Sequence, residues 1–175
     1  MLHLHFVFLL LFTSVIGQEP EVAQHYRKGL VCKDISTEIE NRHVACQIEK
    51  EMRNEGFDSP VIKATLLNAY AESKFDPQAV GDGGNSKGVF QLNKNGLGHK
   101  MTDEEKYDIR KSVRRIAVAI RKSARFKRAI ESGAETPELT ELFCTEIMRP
   151  KDRYTKARIR RKMELLLFRK TSPFG

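Results

Sequence analysis

Along most of this chain apolar positions recur every three to four residues, and two stretches break that rhythm. The first is Phe6 to Phe12, an uninterrupted apolar run. It is too short to cross a bilayer as a mature helix, and Ser14-Val15-Ile16-Gly17 behind it sets small residues before a cut at Gln18, so residues 1–17 are predicted to be a secretory signal. Its n-region has His3 and His5 but no Lys or Arg, and a retained amphipathic anchor is the alternative, although the segment lacks a charged face. Residues 18–175 are expected to form a single domain with a loose lead near 18–28.

From Ile35 to Asn54 the residues Ile35, Ile39, Val44, Ala45, Ile48 and Met52 follow a helical spacing, and Gly56 supplies a stop. Ser59-Pro60 predicts a helix start with Ser as N-cap and Pro at the first position, and the helix runs from Val61 to about Ser73, where Asp76-Pro77 prevents continuation. The second break follows. Gly81-Asp82-Gly83-Gly84-Asn85 is turn chemistry, and Gly88-Val89-Phe90-Gln91-Leu92 reads as a short strand, so a small β-element is expected over residues 78–93.

Helical patterning then resumes. Thr102 to Glu105 is a capping-box pattern, and Ile109, Val113, Ile116, Ala117, Ile120 and Ala124 form an amphipathic stripe, broken at Ser132-Gly133. Thr136-Pro137 starts another helix through Met148, ended by Pro150. Asp152 is placed to cap a last basic helix with Tyr154, Ile159, Met163 and Leu166 near its inward side. The fold class is therefore α+β, mostly helical, with one small β-lobe.

Charge narrows the range of partners. The chain has 31 Lys and Arg against 23 Asp and Glu, and the excess is local. Residues 110–128 hold nine basic residues and no acidic one, and residues 149–170 hold ten against two. Such faces attract polyanions, or are simply solvated helix surfaces; with an export signal, wall or envelope polymers are better partners than nucleic acid. Three cysteines, Cys32, Cys46 and Cys144, allow one disulfide of unread connectivity. His25, His43 and His99 are scattered, no metal-ligand spacing is present, and no cofactor or structural metal is expected.

Among candidate chemical groups Glu72 stands out. It falls in the last turn of its helix, where the macrodipole disfavours an ionised carboxylate, and Thr65, Asn68 and Ala69 share its face. A carboxylic acid so placed suits protonation of a glycosidic oxygen. Position alone does not distinguish it from a surface glutamate.

The order of residues around it does. Glu72-Ser73, Phe75-Asp76-Pro77, Ala79-Val80, a Gly-rich turn and Gly88-Val89-Phe90-Gln91 together resemble the active-site signature of the goose-type lysozyme and soluble lytic transglycosylase superfamily. The detailed match covers about an eighth of the chain. Weaker similarity continues in the helix from Asp108 and in Phe143 to Tyr154, with Arg149-Pro150.

The resemblance implies a lysozyme-like fold, a glycan between helical body and β-lobe, and Glu72 as general acid. It implies substrate contacts from Ser73, Gln91 and the backbone of Gly88 to Phe90, and offers Tyr154 as a partner of the glutamate, with helix-start packing as the alternative. Goose-type enzymes carry two Asp residues, one in the Gly-rich turn and one after the Gln. Asp82 matches the first, as a second catalytic carboxylate or as a plain turn residue. Asn93 stands at the second, able to orient water or an acetamido group but not to act as a base. Asp82 favours hydrolysis and Asn93 weakens it; the transglycosylase route, in which one Glu serves twice, needs Glu72 alone, so both outcomes stay open. Without Trp, sugar stacking falls to Tyr70, Phe90, Tyr107 or Tyr154, and Val89-Phe90 in place of Leu-Met suggests an altered subsite wall.

The expectation is a secreted or periplasmic, monomeric enzyme that cleaves the β-1,4 bonds of peptidoglycan strands. A wall-binding protein that has lost catalysis, and a cationic membrane- or nucleic-acid-binding protein, are the alternatives.

Overall fold

The computed structural model describes residues 31–168, so the expected signal at 1–17 and the lead near 18–28 lie outside the described residues. A 3-10 turn, Val31–Asp34, precedes helix α1, Arg42–Asn54. Here the helical rhythm overreached: the Ile35 to Asn41 stretch is turn, and Ile35 instead forms an isolated bridge with Phe168. Two devices anchor the segment. Cys32 is bonded to Cys46. Glu49, fully buried on α1, accepts the backbone N–H groups of Val31 and Cys32 at 2.9 and 2.7 Å and the Arg53 side chain at 2.8 Å.

Helix α2, Ser59–Ser73, is the structural spine. Its N-cap is Asp58, whose carboxylate accepts from Val61 N–H, and not Ser59; Pro60 still falls in the first turn, where its missing N–H costs nothing. Every residue from Val61 to Ala69 except Lys63 is buried. Such all-round apolarity belongs to a helix covered on several sides, and α2 packs on α1, on the later helix α6 (Thr136–Leu142) and on α7 (Arg153–Lys162).

The β-lobe has three two-residue strands, β1 (Val80–Gly81), β2 (Ser86–Lys87) and β3 (Leu92–Asn93), antiparallel in that order. Val80 pairs with Lys87, and Ser86 with Asn93. Gly88, at φ +76, packs so tightly on the next helix that a Cβ there would lie 1.9 Å from the Lys106 carbonyl oxygen.

The helical body resumes as α3 (Asp103–Tyr107), α4 (Ile109–Lys122) and α5 (Ala124–Glu131). Thr102 and Glu105 form the expected capping box, but Asp108 then caps a new helix and Ser123 caps another, so the stripe from Ile109 is divided. Helix α6 runs into a π-helical stretch, Phe143–Met148, which ends at Arg149 with φ +49. Helix α7 follows, and α8 (Glu164–Leu167) closes the described chain.

The last helices depart from most of the expected inward face. Tyr154 and Ile159 on α7 and Leu166 on α8 are exposed, at 69%, 54% and 75%, and Met163 alone of the four packs against the core, whereas the inward positions of α7 are Ala157 and Arg160. The fold is thus mostly helical α+β, and no described helix is long and apolar enough to cross a membrane.

Candidate active site

Three elements converge on Glu72. Helix α2 presents it one residue before its own end, where Lys74 takes a left-handed turn, φ +56, and Phe75 follows at φ +65 with its side chain fully buried. That double turn sends the chain back towards the β-lobe. Ser73 secures the junction: its hydroxyl donates to the Val89 carbonyl at 2.9 Å, with the Ala69 carbonyl at 3.3 Å. The expected sugar contact from Ser73 is not what its hydroxyl serves; it ties the helix end to the lobe.

Glu72 is partly buried, its side chain 19% exposed, and its Oε1 accepts a hydrogen bond from one guanidinium nitrogen of Arg160. Arg160 is itself 4% exposed, and its other terminal nitrogen donates to Asn68 Oδ1 at 2.5 Å. Asn68, one turn before Glu72, turns its amide to the carbonyls of Ala64 at 2.8 Å and Thr140 at 3.3 Å. One planar guanidinium therefore spans two residues of α2 from across the molecule, a fork that a lysine cannot imitate. Glu72 Oε2 has no hydrogen-bond partner among the described residues, which leaves one oxygen free for chemistry.

Glu72 opens into a cleft of about 1070 Å³ between the β-lobe and the helical body. Asp82, Ser86, Gln91 and Asn93 line its lobe side; Arg115, Lys122, Arg149 and Lys156 stand on its helical side. Asp82 sits at φ +51, and its Oδ2 accepts from Ser86 Oγ at 2.5 Å and from Asn93 Nδ2 at 3.4 Å. The Ser86 hydroxyl above all, then Asn93, Lys156 and Lys151, hold the Asp82 carboxyl below the usual carboxylate range, with a smaller opposing effect of burial. Asn93 also donates to Ser86 Oγ at 3.0 Å, so it orders the second carboxylate.

Gln91, at φ +48, gives its amide N–H groups to the carbonyls of Ala79 and Gly88 at 3.0 and 3.1 Å. Gly81 is what admits it, since a Cβ there would lie 2.2 Å from Gln91 Oε1.

Other expectations are corrected. Phe90 and Val89 are buried in the core, at 0% and 1% exposure, so neither side chain stacks on a sugar or forms a subsite wall. Gly88 is buried too, and its role is close packing against Lys106. Tyr154 does not reach Glu72; it points into a different groove, and Arg160 occupies the place expected of it. Tyr70 packs on Phe75, with ring centroids 5.3 Å apart, beneath Lys74. No aromatic residue lines the cleft among the described residues. Sequence reading missed Arg160, since a basic residue in a basic helix carries no mark of burial. The face Asn68–Glu72, read from α2, was the only trace of its partner.

No group of His, Cys, Asp and Glu among the described residues could hold a metal ion. Cys144, the free cysteine, is buried on the π-helical stretch, and burial pushes its thiol up, out of nucleophilic range at neutral pH.

Comparison with known proteins assigns this fold to a family. A family model described as phage tail lysozyme matches residues 43–163, a stretch that contains Glu72, the β-lobe and Arg160. No curated protein and no solved structure matches the chain. With well over half of its length covered by that match, the chain belongs to the phage tail lysozyme family and to the lysozyme-like superfamily.

Proposed function

We propose that the chain cleaves the β-1,4 glycosidic bonds of bacterial peptidoglycan, with Glu72 as the proton donor to the leaving oxygen. The observation that carries this reading is the arrangement of Glu72: one oxygen is pinned by a buried guanidinium, and the other is free beside a glycan-sized cleft. Arg160 acts as a positioning residue, because a fixed carboxyl loses no rotational freedom when it meets the glycosidic oxygen. Proton transfer then belongs to Oε2.

Asp82 is the second carboxylate of the cleft. Held ionised by Ser86, it is a weak proton acceptor but a steady negative charge, suited to oxocarbenium stabilisation and to orienting water. Asn93 presents its amide to Asp82 and does not replace it as a base. These contacts support hydrolysis in preference to the single-glutamate transglycosylase route. Gln91, with its N–H groups committed to backbone carbonyls, keeps only its amide oxygen for the sugar.

Export completes the proposal. The Cys32–Cys46 disulfide suits an oxidising compartment, in keeping with the apolar leader at 1–17.

Digestion of purified peptidoglycan, with fragment ends read by mass, tests the reading. Muropeptides with reducing ends are expected; anhydro ends would show that Glu72 acts alone. No fragments from acetylated or de-N-acetylated wall would overturn it.

A further inference from the structure

On the other side of the π-helical stretch lies a second groove, of about 1060 Å³, between α5, α6 and α7. Its floor is apolar and small: Ala129, Leu142 and Ala157. Its walls carry four arginines against two glutamates. Two of the arginines are engaged, Arg125 with Glu146 and Arg161 with Glu141, each at 3.1 Å. Arg128 and Arg158, both exposed, have no ion-pair or hydrogen-bond partner among the described residues. Tyr154 overhangs the groove, 69% exposed, with the Arg153 guanidinium 5.2 Å from its ring centre.

We propose that this groove binds an anionic, phosphodiester-bearing polymer of the bacterial envelope, holding it beside the catalytic cleft. Three observations select that occupant. The two uncommitted guanidiniums are planar forks that match phosphate oxygens and lose no internal salt bridge on binding. The groove is far larger than a single anion requires and is open along the surface, which fits a chain of repeated charge. Tyr154 supplies a flat ring for sugar or polyol units, the stacking surface that the catalytic cleft lacks.

Position gives the site its use. The Arg125–Glu146 pair forms the ridge between the two depressions: Arg125 lines the groove and Glu146 the cleft. A polymer attached to a glycan strand can lie in the groove while the strand lies in the cleft. Wall density then raises the local concentration of cleavable bonds without altering the catalytic residues. The envelope as partner rests on the proposed peptidoglycan activity; the groove's preference for phosphodiesters does not.

The test uses the full chain and R128A/R158A, with cell-wall preparations that retain their phosphodiester polymers or have been stripped of them by acid. Retention is read by sedimentation across a range of salt, and cleavage is read on the stripped wall alone. Wild type should sediment with intact wall more than with stripped wall. The double variant should lose that preference by about tenfold or more, with a shallower salt dependence. Both proteins should cleave stripped wall equally. Y154A should weaken retention on intact wall as well.

Equal retention of wild type and double variant on intact wall would overturn the proposal. So would a loss that is the same on stripped wall, which would assign the groove to peptidoglycan itself. Failure of both proteins to cleave stripped wall would count against the catalytic reading and leave the retention result to decide the groove.

Discussion

Arg160 concentrates the physics of the site in one side chain. A guanidinium 4% exposed is costly to desolvate, and it persists because Asn68 and Glu72 take up both terminal nitrogens. Its loss should act on chemistry more than on binding. R160A is expected to lower kcat about 10- to 100-fold with KM little changed, and R160K to recover only part of that, because an ammonium cannot span both partners. Steady-state kinetics on soluble glycan fragments, with far-ultraviolet circular dichroism to confirm the fold, would check it. A proportionate rise in KM would place Arg160 in substrate binding.

Asp82 yields a prediction with a sign. Its folded carboxyl titrates below its ordinary value, chiefly through Ser86, so this contact is fully present above the unfolded carboxylate range and is lost as pH falls through the lower folded value. S86A removes the main cause. The acid limb of the kcat/KM profile should therefore move to higher pH, because Asp82 becomes protonated sooner. An unmoved limb in S86A would show that Asp82 ionisation does not govern the reaction.

Elements explain where the sequence was legible and where it was not. The limits of α2, the β-lobe and the capping box at Thr102 follow from local chemistry, namely Pro placement, Gly-rich turns and reciprocal side-chain caps, which a sequence displays directly. The start of α1 was overextended because Ile35 is apolar for a tertiary reason, its bridge to Phe168. The face of α7 was inverted because burial there follows the needs of a carboxylate on another helix, and apolarity was the only guide at hand. Glu72, Asp82, Gln91 and Asn93 were found through spacing and resemblance, and all four meet in the cleft. The Phe90 side chain is in the core and Tyr154 faces another groove, because neighbourhood in sequence does not tell which way a side chain points.

Gly88 belongs to this scale as well. It combines φ +76 with a Cβ position 1.9 Å from a backbone oxygen, and backbone on α3 cannot move aside as a side-chain tip can. G88A is expected to destabilise the protein by about 2–4 kcal/mol, measured by urea unfolding. A change below 1 kcal/mol would mean that the lobe and α3 separate easily.

For the whole molecule, the cleft depends on holding the lobe, the α2 end and α7 together, and one continuous core of buried side chains from Val31 to Phe168 does so. The covalent tie lies at its edge. Cys32 and Cys46 are separated by 14 residues, and the chain-entropy account of such a loop gives about 3 kcal/mol. C32S/C46S should lower Tm while leaving kcat on soluble fragments nearly unchanged, since neither cysteine lines the cleft. A collapse of kcat in folded C32S/C46S would show that the N-terminal segment shapes the site.

The account as a whole turns on Glu72 as the proton donor. Its most direct measurement is the rate of peptidoglycan cleavage by wild type and E72Q, an exchange that keeps size and hydrogen bonding to Arg160 but carries no ionisable proton. The expected result is loss of about three orders of magnitude or more in a folded protein that still sediments with wall, the upper range for removing general acid–base catalysis. Cleavage by E72Q within tenfold of wild type would contradict it and assign the chemistry elsewhere in the cleft.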